Sequence, residues 1–306
     1  MPSLFDLHCD TPTESYARSV SIADPSLMAS AAKADDLDRY VQVAAIWSDY
    51  RLNDEDAYQR YLAVRDNFTA QTQALKLPLI KSGEELATLA RGYILAVEDA
   101  RILGGDLTRL AGLYEDGVRF LTLTWSGKSI IGGAFNTEFP LTEFGRRVVE
   151  ECFRLGIIPD VSHGSDALID EVLTMAEAAG RPVVATHSNS RAVHPHKRNL
   201  TDAQFKRIAA LGGLVGISLC PPHLTDGSCT PHTVLAHMRH ALALGGENVL
   251  CFGCDFDGIE STPEDLNDLS RMTHFYEFLQ SEGLEKSCLD RLFYQNACDF
   301  FARVAP

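Results

Sequence analysis

Basic residues are scarce in this chain, long apolar runs are missing, and the common nucleotide-binding and nucleophile motifs do not occur. The 306 residues carry 27 Lys and Arg against 42 Asp and Glu, a formal net charge of −15. Phosphate polymers and anionic bilayers are bound through a basic face, so this balance argues against nucleic-acid and membrane partners. No stretch approaches the roughly 18 apolar residues of a membrane span. The first ten residues, MPSLFDLHCD, lack a basic region followed by an apolar one, so no targeting signal is expected. G-x-G-x-x-G does not follow the first apolar run, and G-x-S-x-G and the P-loop pattern are absent. Of the eight cysteines only Cys251 and Cys254 lie close together. Cysteines this scattered fit a reducing compartment better than a disulfide framework, and a cytoplasmic location is expected.

What is present is ordinary globular material, 45% hydrophobic and 23% charged. Short β-branched runs alternate with longer amphipathic stretches. Eight strands are predicted, at 4–9, 41–47, 93–98, 118–124, 157–162, 182–187, 214–219 and 249–255. Each is apolar at most positions, as a parallel sheet covered on both faces requires. Helices are predicted at 54–72, 141–155, 166–179, 201–211, 231–244, 263–281 and 285–304, several with Ser, Thr or Pro at the start and Gly just past the end. Strand and helix alternating eight times predicts an α/β (β/α)8 TIM-like barrel, with residues 1–306 forming one domain. An open doubly wound sheet is the second choice. Residues 11–40 exceed a normal loop and are expected to place extra helix over the C-terminal rim; 126–140 is a second long connection.

Six metal-capable side chains fall at the same end of five predicted strands. His8 and Asp10 end the first, Glu98 the third and His187 the sixth; His163 follows the fifth, and Asp255 ends the eighth. The C-terminal rim is where barrels of this kind build active sites. Neutral imidazole and carboxylate suit zinc, and two metals sharing a carboxylate can polarise a carbonyl and activate a water. Glu98, alone on its strand between the two groups, is the natural bridge. Taken singly, each histidine is more often a surface or hydrogen-bonded core residue than a ligand, and Asp255 in Asp255-Phe256-Asp257-Gly258 could cap a turn. Independent structural roles would scatter these residues over both rims. Other candidates are weaker. His194 and His196 sit in a loop. His232, His237 and His240 lie in a helix and are expected to face solvent. Cys251 and Cys254, at odd spacing on a strand, point to opposite faces and are expected to pack, as Cys9 does.

These residues carry a resemblance. The segments Asp6-Leu7-His8-Cys9-Asp10-Thr11-Pro12, Ala96-Val97-Glu98, Phe120 to Thr124, Asp160-Val161-Ser162-His163, Thr186-His187-Ser188-Asn189, Lys197-Arg198-Asn199-Leu200 and Gly253 to Gly258 run in the same order as in the membrane dipeptidase (renal dipeptidase) family of zinc peptidases. The chain is similar to the soluble bacterial branch of that family over almost its whole length. The resemblance implies a (β/α)8 hydrolase holding two zinc ions. His8 and Asp10 would bind one, His163 and His187 the other, and Glu98 would bridge them. Asp255 would contact the attacking water or the substrate amine and move the proton, and Arg198 would hold a substrate carboxylate. A guanidinium fork suits that task, although a surface salt bridge would also account for an arginine there. The implied substrate is a dipeptide, often with a D-residue in the leaving position, and a homodimer is common in the family.

Two positions depart from the family pattern. Where its mammalian members have a histidine after the Thr-Leu-Thr of the fourth strand, this chain has Trp125, which offers no imidazole to a developing oxyanion. Losing one such donor can cost on the order of 10²-fold in turnover. His223 falls near a family tyrosine that shapes the substrate pocket. Two alternatives therefore stay open: an amidohydrolase-type enzyme acting on another small amide or lactone, and a catalytically impaired metal-binding homologue. The fourth predicted strand lacks the bridging lysine that many enzymes of the first kind use.

Overall fold

The computed structural model describes residues 1–305. Seven parallel strands form one curled sheet: β1 Leu4–Cys9, β2 Tyr40–Trp47, β3 Arg91–Glu98, β4 Val118–Thr122, β5 Ile158–Asp160, β6 Val215–Ile217 and β7 Leu250–Phe252. Their order is β5-β4-β3-β2-β1-β7-β6. Parallel neighbours require crossovers. Most of these run through helices, the longer being α1 Thr11–Arg18, α2 Asp54–Leu75, α3 Arg109–Asp116, α4 Glu143–Leu155, α5 Asp166–Ala179, α6 Asp202–Ala210, α7 Pro231–Ala243, α8 Met272–Ser281 and α9 Asn296–Val304. Local chemistry sets many of their starts. Asn53, Thr142 and Ser165 each accept a backbone N–H of the first turn, and Thr201 with Gln204 forms a capping box. The helix predicted at 263–281 begins only at Met272, whereas 286–304 runs on through a π-helical turn at Arg291–Gln295. The expected extra helix after the first strand is α1. Among the described residues no helix is long and apolar enough to cross a membrane.

The strand predicted at 182–187 does not form. Only isolated parallel bridges, Asp160↔Val184 and Ala185↔Val215, span the interval between β5 and β6. The reason lies in where its backbone donors go. Val184 N–H and Ala185 N–H donate to the Pro159 and Leu214 carbonyls on either side, but Pro182 has no N–H, Thr186 N–H donates to the Asp160 carboxylate and His187 N–H to the Ser162 hydroxyl, so the ladder is cut to two isolated bridges. The described sheet thus has seven strands rather than the eight expected. The later strands are also shorter than predicted, ending at Thr122, Asp160, Ile217 and Phe252. His163 and Asp255 therefore stand in the connections beyond strand ends, both in the left-handed region (φ 69° and 66°).

The sheet separates two apolar layers. Its concave face gathers Phe5, Leu7, Val43, Ile94, Phe120 and Val184 over α9 residues Phe300 and Phe301; its outer face packs Leu4, Cys9, Leu95 and Leu121 under the helices. Cys251 lies in the first layer and Cys254 in the second, so the pair is divided across the sheet as its spacing predicted. Strict alternation along β1 would place His8 on the opposite face from Phe5 and Leu7. Between Asp6↔Gln42 and Cys9↔Ala44 the pairing slips by one residue. This bulge turns His8 inward with Leu7, a re-aiming that bulges beside functional sites commonly provide.

Candidate active site

At the C-terminal ends of the strands the six predicted side chains converge. Glu98 finishes β3 on the same face as Ile94 and Ala96. Its Oε2 lies 3.6 Å from His8 Nε2, while its Oε1 lies 2.9 Å from His163 Nε2 and 3.5 Å from His187 Nε2. His8 Nε2 is also 3.4 Å from Asp10 Oδ2 and 3.9 Å from Asp255 Oδ1. His8, Glu98 and His187 form one close group of potential metal ligands, and His8, Asp10 and Asp255 form another; all five residues are buried.

The hydrogen-bond network sets the histidine tautomers. His163 Nδ1 faces the Trp125 carbonyl at 3.1 Å, and a carbonyl can only accept, so Nδ1 carries the proton. Thr186 Oγ1 lies 2.6 Å from Asp160 Oδ2 and donates its single proton there. It must then accept from His187 Nδ1, at 2.8 Å. Both Nε2 atoms are left with lone pairs, yet they stand only 2.9 Å apart. Two such lone pairs repel unless a cation or a proton lies between them. His8 Nε2, Asp10 Oδ1 and Glu98 Oε1 are buried without a hydrogen-bond partner. The donor set of imidazole and carboxylate, with these orphaned atoms aimed inward, fits divalent metal.

Electrostatics agree. Burial disfavours the charged form of every group here. Even so, the charge of His8 holds the Glu98 carboxyl well below the usual range, and Glu98 with Asp10 keeps His8 well above its own. Burial, reinforced by Arg198, takes His163 down to about 4, and burial with the charge of His8 takes His187 well below its ordinary value. Both are therefore neutral imidazoles. Burial pushes Asp10 up to about 6 and Asp255 up to about 8, the latter helped by Asp10 and Glu98 against the pull of His8 and Arg198.

Above this cluster lies a cavity of about 450 Å³, within the range of small-molecule sites. Trp125, Arg198 and His223 all line it, together with Asp10, Glu98, His163 and Asp255. Arg198 is 4% exposed and makes no ion pair among the described residues; its Nη2 donates to the His187 carbonyl at 3.3 Å and its Nε has no partner. The surface salt bridge that an arginine here could have made is not formed. Trp125 packs between Trp47, edge-on at 5.2 Å, and Tyr50, stacked at 5.5 Å. Burial and the charge of Arg198 lower His223 to about 2, so it is neutral.

Other residues came out differently. His237, expected in solvent, is fully buried: it accepts from Ser190 N–H and faces the Leu224 carbonyl at 3.0 Å, so it ties two loops together. His240 is partly buried against Asp202, and only His232 is largely exposed. Sequence reasoning missed several supporting groups. Asp160 accepts four hydrogen bonds, from Thr122 Oγ1, Thr186 Oγ1, Thr186 N and Ser162 N. Asp257 accepts from Thr11, Met28 and Ala29 and so pins the long loop after β1 beside the site. The available signal was a carboxylate inside or beside an apolar strand, since acids are seldom fully buried without partners. Gly216 and Gly253 admit the backbone in front of His187: a Cβ at either would come within 2 Å of the Thr186 carbonyl oxygen, at 1.9 and 1.7 Å.

Comparison with known proteins places the chain. The family described as membrane dipeptidase (peptidase family M19) matches residues 2–305. Dipeptidase 3 of Mus musculus is 30% identical over 275 residues, which cover 85% of this chain and 55% of that protein, so the chain spans about half the length of this relative. A crystal structure described as the dipeptidase AC, a metallopeptidase, superposes with a TM-score of 0.92 at 24% identity, covering 99% of both chains. A metallopeptidase from Rhodobacter sphaeroides, described as liganded with a phosphinate mimic of the dipeptide L-Ala-D-Ala, gives 0.90 at 23% identity and covers 99% of both chains. At such identities the two structures speak for the fold, and the family match for kinship: this chain belongs to the membrane dipeptidase family, peptidase family M19, and is a hydrolase of the metallopeptidase class.

Proposed function

We propose that the protein is a binuclear zinc dipeptidase, a single catalytic unit on a closed barrel of the (β/α)8 type, hydrolysing dipeptides that include those with a D-residue at the C-terminal position. One observation carries this reading. The Glu98 carboxylate is divided between His8 on one oxygen and His163 with His187 on the other, and His8 Nε2, Asp10 Oδ1 and Glu98 Oε1 are buried and unpartnered. His8 and Asp10 would hold one zinc, His163 and His187 the other, and Glu98 both. Bound there, zinc would supply Lewis acidity to the amide carbonyl and ease deprotonation of water.

The remaining chemistry belongs to the chain. Asp255, beside His8 and lining the cavity, accepts the proton of the attacking water and returns it to the leaving amine nitrogen. Burial and like charges raise its proton affinity toward neutrality, while a neighbouring cation would draw it back, so both protonation states are within reach. Arg198, buried and free of any carboxylate partner, receives the terminal carboxylate and so confines the enzyme to short substrates. Trp125 and His223 form the pocket wall. Acceptance of a D-residue at the C-terminal position is supported by the L-Ala-D-Ala mimic named for the Rhodobacter sphaeroides neighbour.

The test is turnover of the zinc-loaded protein on a library of L,L and L,D dipeptides, with metal content measured on the same sample. Cleavage that is abolished in Glu98→Ala, with metal lost in parallel, is expected. Two bound zincs with no dipeptide cleaved would overturn the reading in favour of another small amide or lactone, with Trp125 the first residue to vary.

A further inference from the structure

The cavity has a second arginine. Arg60, on the second turn of α2, lines it at the end built from Thr13, Glu14 and Ala17 of α1 and Trp47 at the tip of β2. Arg198, His223 and Cys220 come from the connections around β6, three strands from β2 in the sheet. Among the described residues Arg60 makes no hydrogen bond and no ion pair, and its Nε is sealed from solvent without an acceptor. The Trp47 indole N–H, on the same wall, is also buried without an acceptor. The neighbouring carboxylates form no ion pair with it: Glu14, half-exposed, lies 3.7 Å from Arg18, and Asp49 receives Arg51 Nε at 2.9 and 3.0 Å. The aliphatic stem of Arg60 leads to a guanidinium 5.6 Å from the Tyr16 ring centre.

Arg60 is half-buried, lines the cavity and has no ion-pair partner among the described residues, so a carboxylate on the ligand would supply the anionic oxygen that its guanidinium lacks. The terminal carboxylate is assigned to Arg198 at the far end. The group reaching Arg60 is then a second one, on the residue at the other end of the dipeptide. The geometry points to Arg60, with Trp47, as the specificity-determining site for an acidic side chain on the N-terminal residue, so that the substrate class is Glu-X and Asp-X dipeptides. This rests on the dipeptidase reading above, with Arg198 holding the C-terminus.

The experiment compares kcat/KM of the zinc-loaded enzyme for Glu-Ala, Gln-Ala, Ala-Glu and Ala-Gln, with the C-terminal residue in both chiralities. Glu-Ala is expected to exceed Gln-Ala by roughly tenfold or more, the worth of a charge-assisted hydrogen bond. In Arg60→Met the Glu-Ala to Gln-Ala ratio should fall to near one, mainly through KM. Arg60→Lys should restore part of it, and Trp47→Phe should reduce it less. Equal loss on Glu-Ala and Gln-Ala in Arg60→Met would overturn the proposal in favour of a packing role. A ratio that changes instead for Ala-Glu over Ala-Gln would overturn its assignment to the N-terminal residue. Calorimetric binding of non-hydrolysable reduced-amide analogues of Glu-Ala and Gln-Ala to zinc-loaded wild type and Arg60→Met separates the two readings. If no dipeptide is cleaved but the Glu analogue binds tenfold better through Arg60, the hydrolase reading fails and this one stands. If wild type does not discriminate the analogues, this one fails.

Discussion

Replacing Asp160 by Asn should loosen the metal centre without touching any metal-facing atom. The Asp160 carboxylate takes the Thr186 hydroxyl proton at 2.6 Å, and this obliges Thr186 to accept from His187 Nδ1 and leaves His187 Nε2 bare. An amide NH2 at that place donates instead. The Thr186 hydroxyl proton is then free to turn toward His187 Nδ1, which moves the imidazole proton to Nε2 and blocks ligation. Partners of this kind are worth about 10–100-fold in metal affinity, or about 1.4–2.7 kcal/mol. The four hydrogen bonds to Asp160 would also lose their charge assistance, at the cost of on the order of 2 kcal/mol of stability. Competitive chelator titration would read zinc affinity and stoichiometry, and thermal melts of the metal-free protein would read stability. Thr186→Val, which strips the acceptor from His187 Nδ1, should lower affinity similarly. If Asp160→Asn bound two zincs as tightly as wild type, the relay from Asp160 through Thr186 to His187 would be refuted.

Two further outcomes follow from the same geometry. Zinc affinity should rise as pH rises from about 6 and binding should release protons: burial raises the Asp10 carboxyl to about 6, and Glu98 with Asp10 keeps His8 protonated well above its usual value, so both ligands must give up protons that the metal replaces. Calorimetry in buffers of different ionisation enthalpy would detect the release, and a pH-independent affinity would contradict it. Gly258→Ala places a Cβ 2.2 Å from Asp10 Oδ2 and 2.7 Å from Asp255 Oδ1, so both carboxylates must shift. A displacement of that size should cost on the order of 10²-fold in kcat/KM while the fold persists, measured as turnover beside far-ultraviolet dichroism.

The site was largely legible in the chain because metal chemistry demands particular residue types and parallel strands deliver their ends to one rim. His8, Asp10, Glu98, His163, His187 and Asp255 could be grouped by counting apolar runs alone. The sixth strand could not be read correctly, because its pattern is apolar and strand-like while the backbone donors of Thr186 and His187 at its end are claimed by Asp160 and Ser162, side chains from another part of the chain. His237 failed for a similar reason: three residues from His240 in one helix, it looks equally exposed, yet the loop at Ser190 closes over it.

The sequence by itself determined the family, the alternation of strand and helix, and which side chains gather at the C-terminal edge of the sheet, since all three are carried by order and periodicity. Only the tertiary structure decided that a one-residue slip in β1 turns His8 to the same face as Leu7, that Thr186 and Asp160 set the proton on His187, and that Arg60 shares a cavity with Arg198. Those outcomes depend on contacts between residues far apart in the chain, and no local pattern encodes where a distant carboxylate or carbonyl will arrive.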